Sequence, residues 1–241
     1  MELLIVGAGE MGRWFARTVD ASVAFADADP GAAEAAAETV GGRAVPVDVD
    51  ESFDAVCLAV PISAVADAVE THAPRAERAM FDVSGVMTAP VAAMRERLSE
   101  CERASFHPLF SSSNAPGNVA VVVDAPGPLV DAVRGDLTAA GNRLFETTPE
   151  EHDEAMGTIQ AGAHAAVLAY ALAAEDVREE FATPVSECLD DLAATVLGGT
   201  PRVYREIQET FPGADRVAEA ARRIADATGE EFDALYREAR E

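Results

Sequence analysis

Along the first 148 residues, short apolar runs alternate with stretches in which apolar and polar positions follow a helical period. The runs at 2–6, 22–26, 55–60 and 79–83 read as strands. The run 55–60 is unbroken, which is the pattern of a strand buried on both faces of a parallel sheet. Further strands are predicted over 43–47, 103–107, 118–123 and 143–147. Helices are predicted over 12–19, 32–40, 64–71 and 128–140, with one more between the strands at 79–83 and 103–107. The alternation predicts an α/β fold built as a doubly wound sheet.

After Thr148 only the helical period remains. Pro149 suits the first turn of a helix, with Thr147 or Thr148 as cap and Glu150 and Glu151 placed where the helix dipole favours acids. That helix is expected to run to about residue 181 with a stripe of Ala161, Ala165, Leu168, Ala169 and Leu172, small enough for close packing. Helices over 185–197, 201–210, 214–227 and from 230 onward follow. The expected division is residues 1–148 and an all-helical domain over 149–241.

Composition narrows the partners. Formal net charge is -25 at pH 7, and every basic residue is arginine. A surface this acidic repels nucleic acid and anionic membranes, so neither is an expected partner. With lysine absent and alanine abundant, the composition is of the kind found in extreme halophiles. No apolar run is long enough to cross a bilayer, and the start of the chain lacks the basic region of a signal peptide. Cys57, Cys101 and Cys188 have neither metal-ligand nor disulfide spacing, so no metal is expected and the chain reads as cytoplasmic.

The strongest motif follows the first strand directly: Gly7-Ala8-Gly9-Glu10-Met11-Gly12. In such a turn the first glycine permits a tight strand-to-helix reversal. The second admits a pyrophosphate to the backbone, and the third lets helix and strand pack closely. The pyrophosphate then lies at a helix N-terminus. An acid, Asp27, ends the second strand, where it can bond both adenosine-ribose hydroxyls and repel a 2′-phosphate. No arginine lies between Val19 and Gly42, so NAD is expected over NADP. The first half is therefore read as a Rossmann-type domain, with Gly7, Gly9, Glu10, Met11, Gly12 and Asp27 at the cofactor. Val60 and Pro61 should pass beside the nicotinamide ribose, because ligands sit outside the carboxyl ends of strands in open α/β sheets.

Four histidines are available for chemistry: His72, His107, His152 and His164. His72 lies at a polar helix end and is expected at the surface. His107 begins His-Pro-Leu-Phe at a strand end on the ligand side of the sheet. His152 begins a helix, where it complements capping acids. His164 faces a helix otherwise lined by alanine, and reads equally as a packed core residue or a functional one.

Taken together, these elements resemble the prephenate/arogenate dehydrogenase family of tyrosine biosynthesis. The matching segments are Gly7-x-Gly9-x-Met11-Gly12, Leu58-Ala59-Val60-Pro61, the Asp82 segment and His107-Pro108-Leu109-Phe110. Thr148-Pro149-Glu150-Glu151-His152-Asp153, Ile159-Gln160 followed by His164, and residues 201–207 continue it in order. The resemblance implies NAD-dependent oxidative decarboxylation of a small substrate, prephenate or arogenate. It implies His107 as the base on the ring hydroxyl, a role suited to a neutral imidazole. It also implies His164 as a substrate-binding residue and a helical domain that dimerises and covers the active-site cleft.

Three departures stand out. Where the family reads Asp-x-x-Ser-Val-Lys, this chain has Asp82-Val83-Ser84-Gly85-Val86-Met87, which moves the serine by one position and replaces the lysine. Ser84 is the candidate to assist His107. The family's carboxylate-binding arginine is missing near Asp191-Leu192-Ala193-Ala194-Thr195. A dicarboxylate needs cationic or neutral donors, for which Arg202, Arg205, Arg13 or the run from Ser111 to Asn114 are candidates. The competing readings are another NAD-dependent dehydrogenase acting on a small hydroxy acid, and an NAD-binding regulatory protein without catalysis.

Overall fold

The computed structural model describes residues 1–240. It divides into two compact units, Met1–Asp153 and Glu154–Glu241. The division falls after Asp153, because His152 and Asp153 are hydrogen-bonded to residues of the first unit.

The first unit is an eight-stranded sheet in the order β3-β2-β1-β4-β5-β6-β7-β8. Its strands are β1 (Glu2–Val6), β2 (Ser22–Ala26), β3 (Arg43–Ala44), β4 (Phe53–Leu58), β5 (Ala76–Asp82), β6 (Glu102–Pro108), β7 (Asn118–Ala125) and β8 (Arg143–Glu146). The pairing is parallel except between β6 and β7. The expected doubly wound sheet is thus present. The order reverses between β1 and β4, and there the carboxyl ends of β1, β4, β5 and β6 reach one edge. Helices α1 (Glu10–Thr18), α2 (Pro30–Val40), α3 (Val65–His72), α4 (Thr88–Arg97) and α5 (Pro128–Ala139) connect the strands. Leu3, Leu4, Ile5, Phe25, Leu58, Met80, Phe81 and Phe106 are fully buried and form the centre of the core.

Local chemistry explains the differences from expectation. β3 stops at Ala44, shorter than predicted, since Pro46 has no N–H to continue a ladder. His72 is 2% exposed rather than on the surface. It shares an inward stripe with Val65 and Val69 at helical spacing, and burial lowers its pKa to about 4.

Helix α6 (Pro149–Met156) is capped by the Thr148 hydroxyl, which accepts from the Glu151 N–H at 3.1 Å. The helical unit continues with a π-helical turn at Gly157–Gly162, then α7 (Ala163–Ala173), α8 (Pro184–Leu197), α9 (Pro201–Thr210), α10 (Gly213–Asp226) and α11 (Glu230–Glu238). The helix expected to reach residue 181 ends at Ala173. Beyond it Val177 and Phe181 are exposed, so nothing in the chain rewards further helical winding. The π turn is held by the Gln208 side chain, which donates to the Ala161 carbonyl at 2.9 Å. The start of α10 packs so closely on it that a β-carbon on Gly213 would stand 2.2 Å from Gly162 N. Among the described residues, no helix is long and apolar enough to cross a membrane.

Candidate active site

The glycine turn leaves β1 at Gly7, whose φ of 101° is in the left-handed region. A β-carbon there would meet the Ala59 carbonyl oxygen at 2.3 Å, and one on Gly12 would meet the Gly7 oxygen at 2.0 Å. Both are glycine because the protein's own backbone fills the space. Gly9 differs: a β-carbon would find nothing within 4 Å. Packing inside the chain does not require glycine there, so its space is free for a group lying against the N-terminus of α1. That is the fit expected of a dinucleotide pyrophosphate.

Asp27 braces the turn from the end of β2. Its carboxylate accepts from Ala8 N at 2.7 Å and from Asp29 N at 2.9 Å. Asp29, not Asp27, caps α2, accepting from Gly31 N at 3.0 Å. Glu10, in the first turn of α1, accepts from the backbone N–H and hydroxyl of Ser112 at 2.9 and 2.7 Å. This ties the loop after β6 to the glycine turn. Val60 and Pro61 follow β4 at the same sheet edge, and Ser111, exposed, shares a hydrogen bond with Ser113. Phe110 packs edge-on against Trp14 and fills the space beside Gly117.

His107 sits near the end of β6 and is 6% exposed. Its Nδ1 lies 2.8 Å from His152 Nε2, and His152 Nδ1 lies 2.7 Å from Asp153 Oδ1. Asp153 in turn accepts from the N–H groups of Met87 and Thr88 at the start of α4, at 2.9 and 3.0 Å. Burial lowers the His107 pKa to about 3, assisted by the neighbouring His152 and opposed by Asp153, so the ring is neutral. Burial alone would raise the Asp153 pKa, but hydrogen bonds from His152, Thr88 and Met87 outweigh it and hold it low. The remaining ring nitrogen of His107, Nε2, faces Gly85, where a β-carbon would stand 3.7 Å away.

Asp82, at the end of β5, is fully buried, and burial raises its pKa to about 7 against the pull of hydrogen bonds from Ser84. The Ser84 hydroxyl lies 2.6 Å from Asp82 Oδ1 and 2.9 Å from the Val86 carbonyl. Its one proton is therefore used inside the loop, and Gly85 borders His107 Nε2. In the helical unit, the His164 ring meets Tyr204 edge-on at 4.9 Å, and burial lowers its pKa. Arg202 is exposed and lies 3.8 Å from Glu206. Among the described residues no group of His, Cys, Asp and Glu is arranged to hold a metal ion.

Sequence reasoning did not connect His152 and Asp153 to His107. Reading His152 as a partner for capping acids overlooked that its own neighbour, Asp153, is a carboxylate on a different helix face. An imidazole followed at once by an acid, in a chain with four histidines, was the available signal.

An open glycine turn at the switch point of a Rossmann sheet, with a neutral, buried imidazole near the end of β6, is the arrangement of an oxidoreductase of the dehydrogenase class. Comparison with known proteins gives the family. The family described as "Prephenate dehydrogenase, nucleotide-binding domain" matches residues 13–122. The chain is 31% identical to the 4-amino-4-deoxyprephenate dehydrogenase of Streptomyces pristinaespiralis, over 90% of this chain and 80% of that one. It is 25% identical to a Methanocaldococcus jannaschii protein described as "Probable arogenate/prephenate dehydrogenase", spanning 87% of this chain but only 51% of that protein. Among solved structures, prephenate dehydrogenase from A. aeolicus, in complex with hydroxyphenyl propionate and NAD+, superposes with a TM-score of 0.75 at 17% identity, covering 100% of this chain and 92% of that one. Synechocystis arogenate dehydrogenase gives 0.65 at 17% identity, covering 100% and 98%. The chain belongs to the prephenate dehydrogenase family of oxidoreductases.

Proposed function

We propose that the protein is an NAD-dependent dehydrogenase that oxidises prephenate or arogenate with loss of carbon dioxide, giving 4-hydroxyphenylpyruvate or tyrosine. The observation that carries this reading is the buried His107, neutral and with Nε2 facing Gly85, a residue without a side chain. In such a substrate a ring hydroxyl stands opposite a carbon bearing a carboxylate. His107 Nε2 accepts the hydroxyl proton as the carbonyl develops, and departure of the carboxylate as carbon dioxide is driven by aromatisation. NAD, when bound, takes up the hydride. Gly7, Gly9, Met11 and Gly12 would hold its pyrophosphate, Asp27 its adenosine ribose, and Val60 and Pro61 its nicotinamide side. In the helical unit we assign substrate contact to His164, whose Nδ1 has no hydrogen-bond partner among the described residues, and to Arg202.

We also propose a homodimer formed through the helical unit. Helix α7 is apolar along its length yet has no buried residue, and Leu172 is 88% exposed. Val185, Phe181 and Leu197 are exposed as well. An apolar surface of this kind is a marker of association.

A second reading of the substrate is favoured by Gly85. A C4 amine has one lone pair, which must remain free to form the carbon–nitrogen double bond as hydride departs. A hydroxyl donor beside His107 Nε2 would occupy it, and Gly85 supplies none. The Streptomyces relative is named for a 4-amino substrate. The deciding experiment follows NADH absorbance with the protein in molar KCl, NAD, and prephenate, arogenate or 4-amino-4-deoxyprephenate in turn. NADH from either hydroxyl compound supports the first reading, and NADH from the amine alone supports the second. No NADH from any of them, with NAD binding intact, overturns both.

A further inference from the structure

With His152 neutral, the hydrogen bonds around His107 leave room for one distribution of protons. The Asp153 carboxylate can only accept, and it already accepts from Met87 and Thr88. His152 Nδ1, 2.7 Å from it, must therefore carry a proton. In a neutral ring the other nitrogen, His152 Nε2, is then a bare acceptor. His107 Nδ1, 2.8 Å away, must be the donor. That puts the lone pair of a neutral His107 on Nε2, the atom that faces Gly85.

We propose that His152 and Asp153 are positioning residues that lock His107 in the Nδ1–H tautomer, presenting its Nε2 lone pair to the substrate. The proposal rests on the reading of His107 as the base. Without the lock, a proton on Nε2 would make His107 a donor to the very group it has to deprotonate. As the base gains a proton at Nε2, its Nδ1–H continues to donate to His152. The resulting imidazolium is then stabilised by the imidazole and, behind it, the carboxylate. Of these two titratable neighbours, His152 opposes protonation of His107 and Asp153 favours it. The anchor is rigid, because Asp153 is held by backbone of α4 and not by another side chain. Neither residue is placed to touch the reacting atoms. Their effect is on the state and aim of the ring that does.

Protein labelled with 15N-histidine reads the tautomer directly, and the four histidines can be assigned by single substitutions. The expected result is a His107 protonated at Nδ1 and bare at Nε2 across the range from about pH 5 to 8. In His152→Phe the ring volume is kept and the acceptor lost, so protonated Nε2 should appear. With it, kcat should fall by about 10²-fold or more while KM for NAD changes little. His152→Gln offers an amide oxygen to His107 and an amide N–H to Asp153, and should recover much of the loss. A wild-type His107 protonated at Nε2, or an unchanged tautomer in His152→Phe, overturns the proposal. So does a kcat within about twofold of wild type in the Phe variant, since displacement of a working base costs far more. The tautomer is read without substrate, so failure to oxidise prephenate would count against the assigned reaction and leave this test standing.

Discussion

Gly85 and His107 meet at the point where chemistry is expected: a β-carbon on the glycine would stand 3.7 Å from the Nε2 atom of the histidine. Serine can be introduced there at small cost, because the nearest obstruction is the flexible Ile62 Cδ1 at 3.2 Å. In Gly85→Ser the new hydroxyl would donate to a substrate group bound at Nε2. An alcohol oxygen has two lone pairs and tolerates this, whereas an amine nitrogen has one and does not. The ratio of kcat/KM for the amine over the hydroxyl substrate should fall about tenfold, equivalent to about 1.4 kcal/mol in the transition state. A ratio unchanged or increased would show that Gly85 does not set this preference.

Removing the imidazole tests the base itself. His107→Asn should lower kcat by about 10² to 10⁴-fold and leave NAD affinity nearly unchanged, as general-base catalysis contributes on that scale. Isothermal titration with NAD beside steady-state kinetics separates the two. A large loss of NAD affinity would assign His107 to the cofactor and not to the substrate.

The sequence reading recovered what depends on local pattern. Short and unbroken apolar runs marked the strands, and the turn from Gly7 to Gly12 marked the dinucleotide site, because one glycine per task is a short-range requirement. It did not recover what depends on tertiary pairing. His152 looked like a helix-start residue, since nothing local shows that β6 ends opposite it. Ser84 looked like an assistant to His107, because a one-residue shift in a loop decides whether a hydroxyl turns inward to Asp82 or outward. His72 was misplaced for a related reason: polar neighbours hid its position on the inward stripe of α3.

The three glycines of the turn should separate by phenotype. Gly9→Val adds a side chain into open space, so thermal stability should change by less than about 0.5 kcal/mol, while NAD affinity is lost. Gly7→Val forces a side chain against the Ala59 carbonyl at a positive φ, and should destabilise by several kcal/mol, roughly 3 or more. Calorimetry and NAD titration on both variants check this. Retained NAD binding in Gly9→Val would sink the assignment of the open space to the pyrophosphate.

The exposed apolar face of α7 makes a prediction about assembly. Sedimentation should give twice the chain mass, and Leu172→Arg should shift it toward the monomer, because a buried unpaired charge costs several kcal/mol at an interface. A wild-type monomer at micromolar concentration would remove the dimer from consideration.

Asp82 gives the stability of the first unit an unusual pH dependence. Its pKa is raised from 3.8 to about 7, chiefly by burial, so between those values the folded state binds a proton that the unfolded state has released. Its contribution is complete below the unfolded value and is lost as pH rises through about 7. His72 and His107 act in the opposite sense, since burial lowers both: their contribution is present above their unfolded value and lost as pH falls toward about 4 and about 3. The difference between Asp82→Asn and wild type isolates the carboxylate. An asparagine oxygen can still accept from Ser84, so the variant should match wild type near pH 4. Above pH 7 it should exceed wild type by up to about 4 kcal/mol, the free energy of moving that pKa from 3.8 to about 7. Denaturant titrations at several pH values give the difference directly. A difference that is flat with pH would mean that Asp82 stays ionised in the fold and that its burial is compensated by groups other than Ser84.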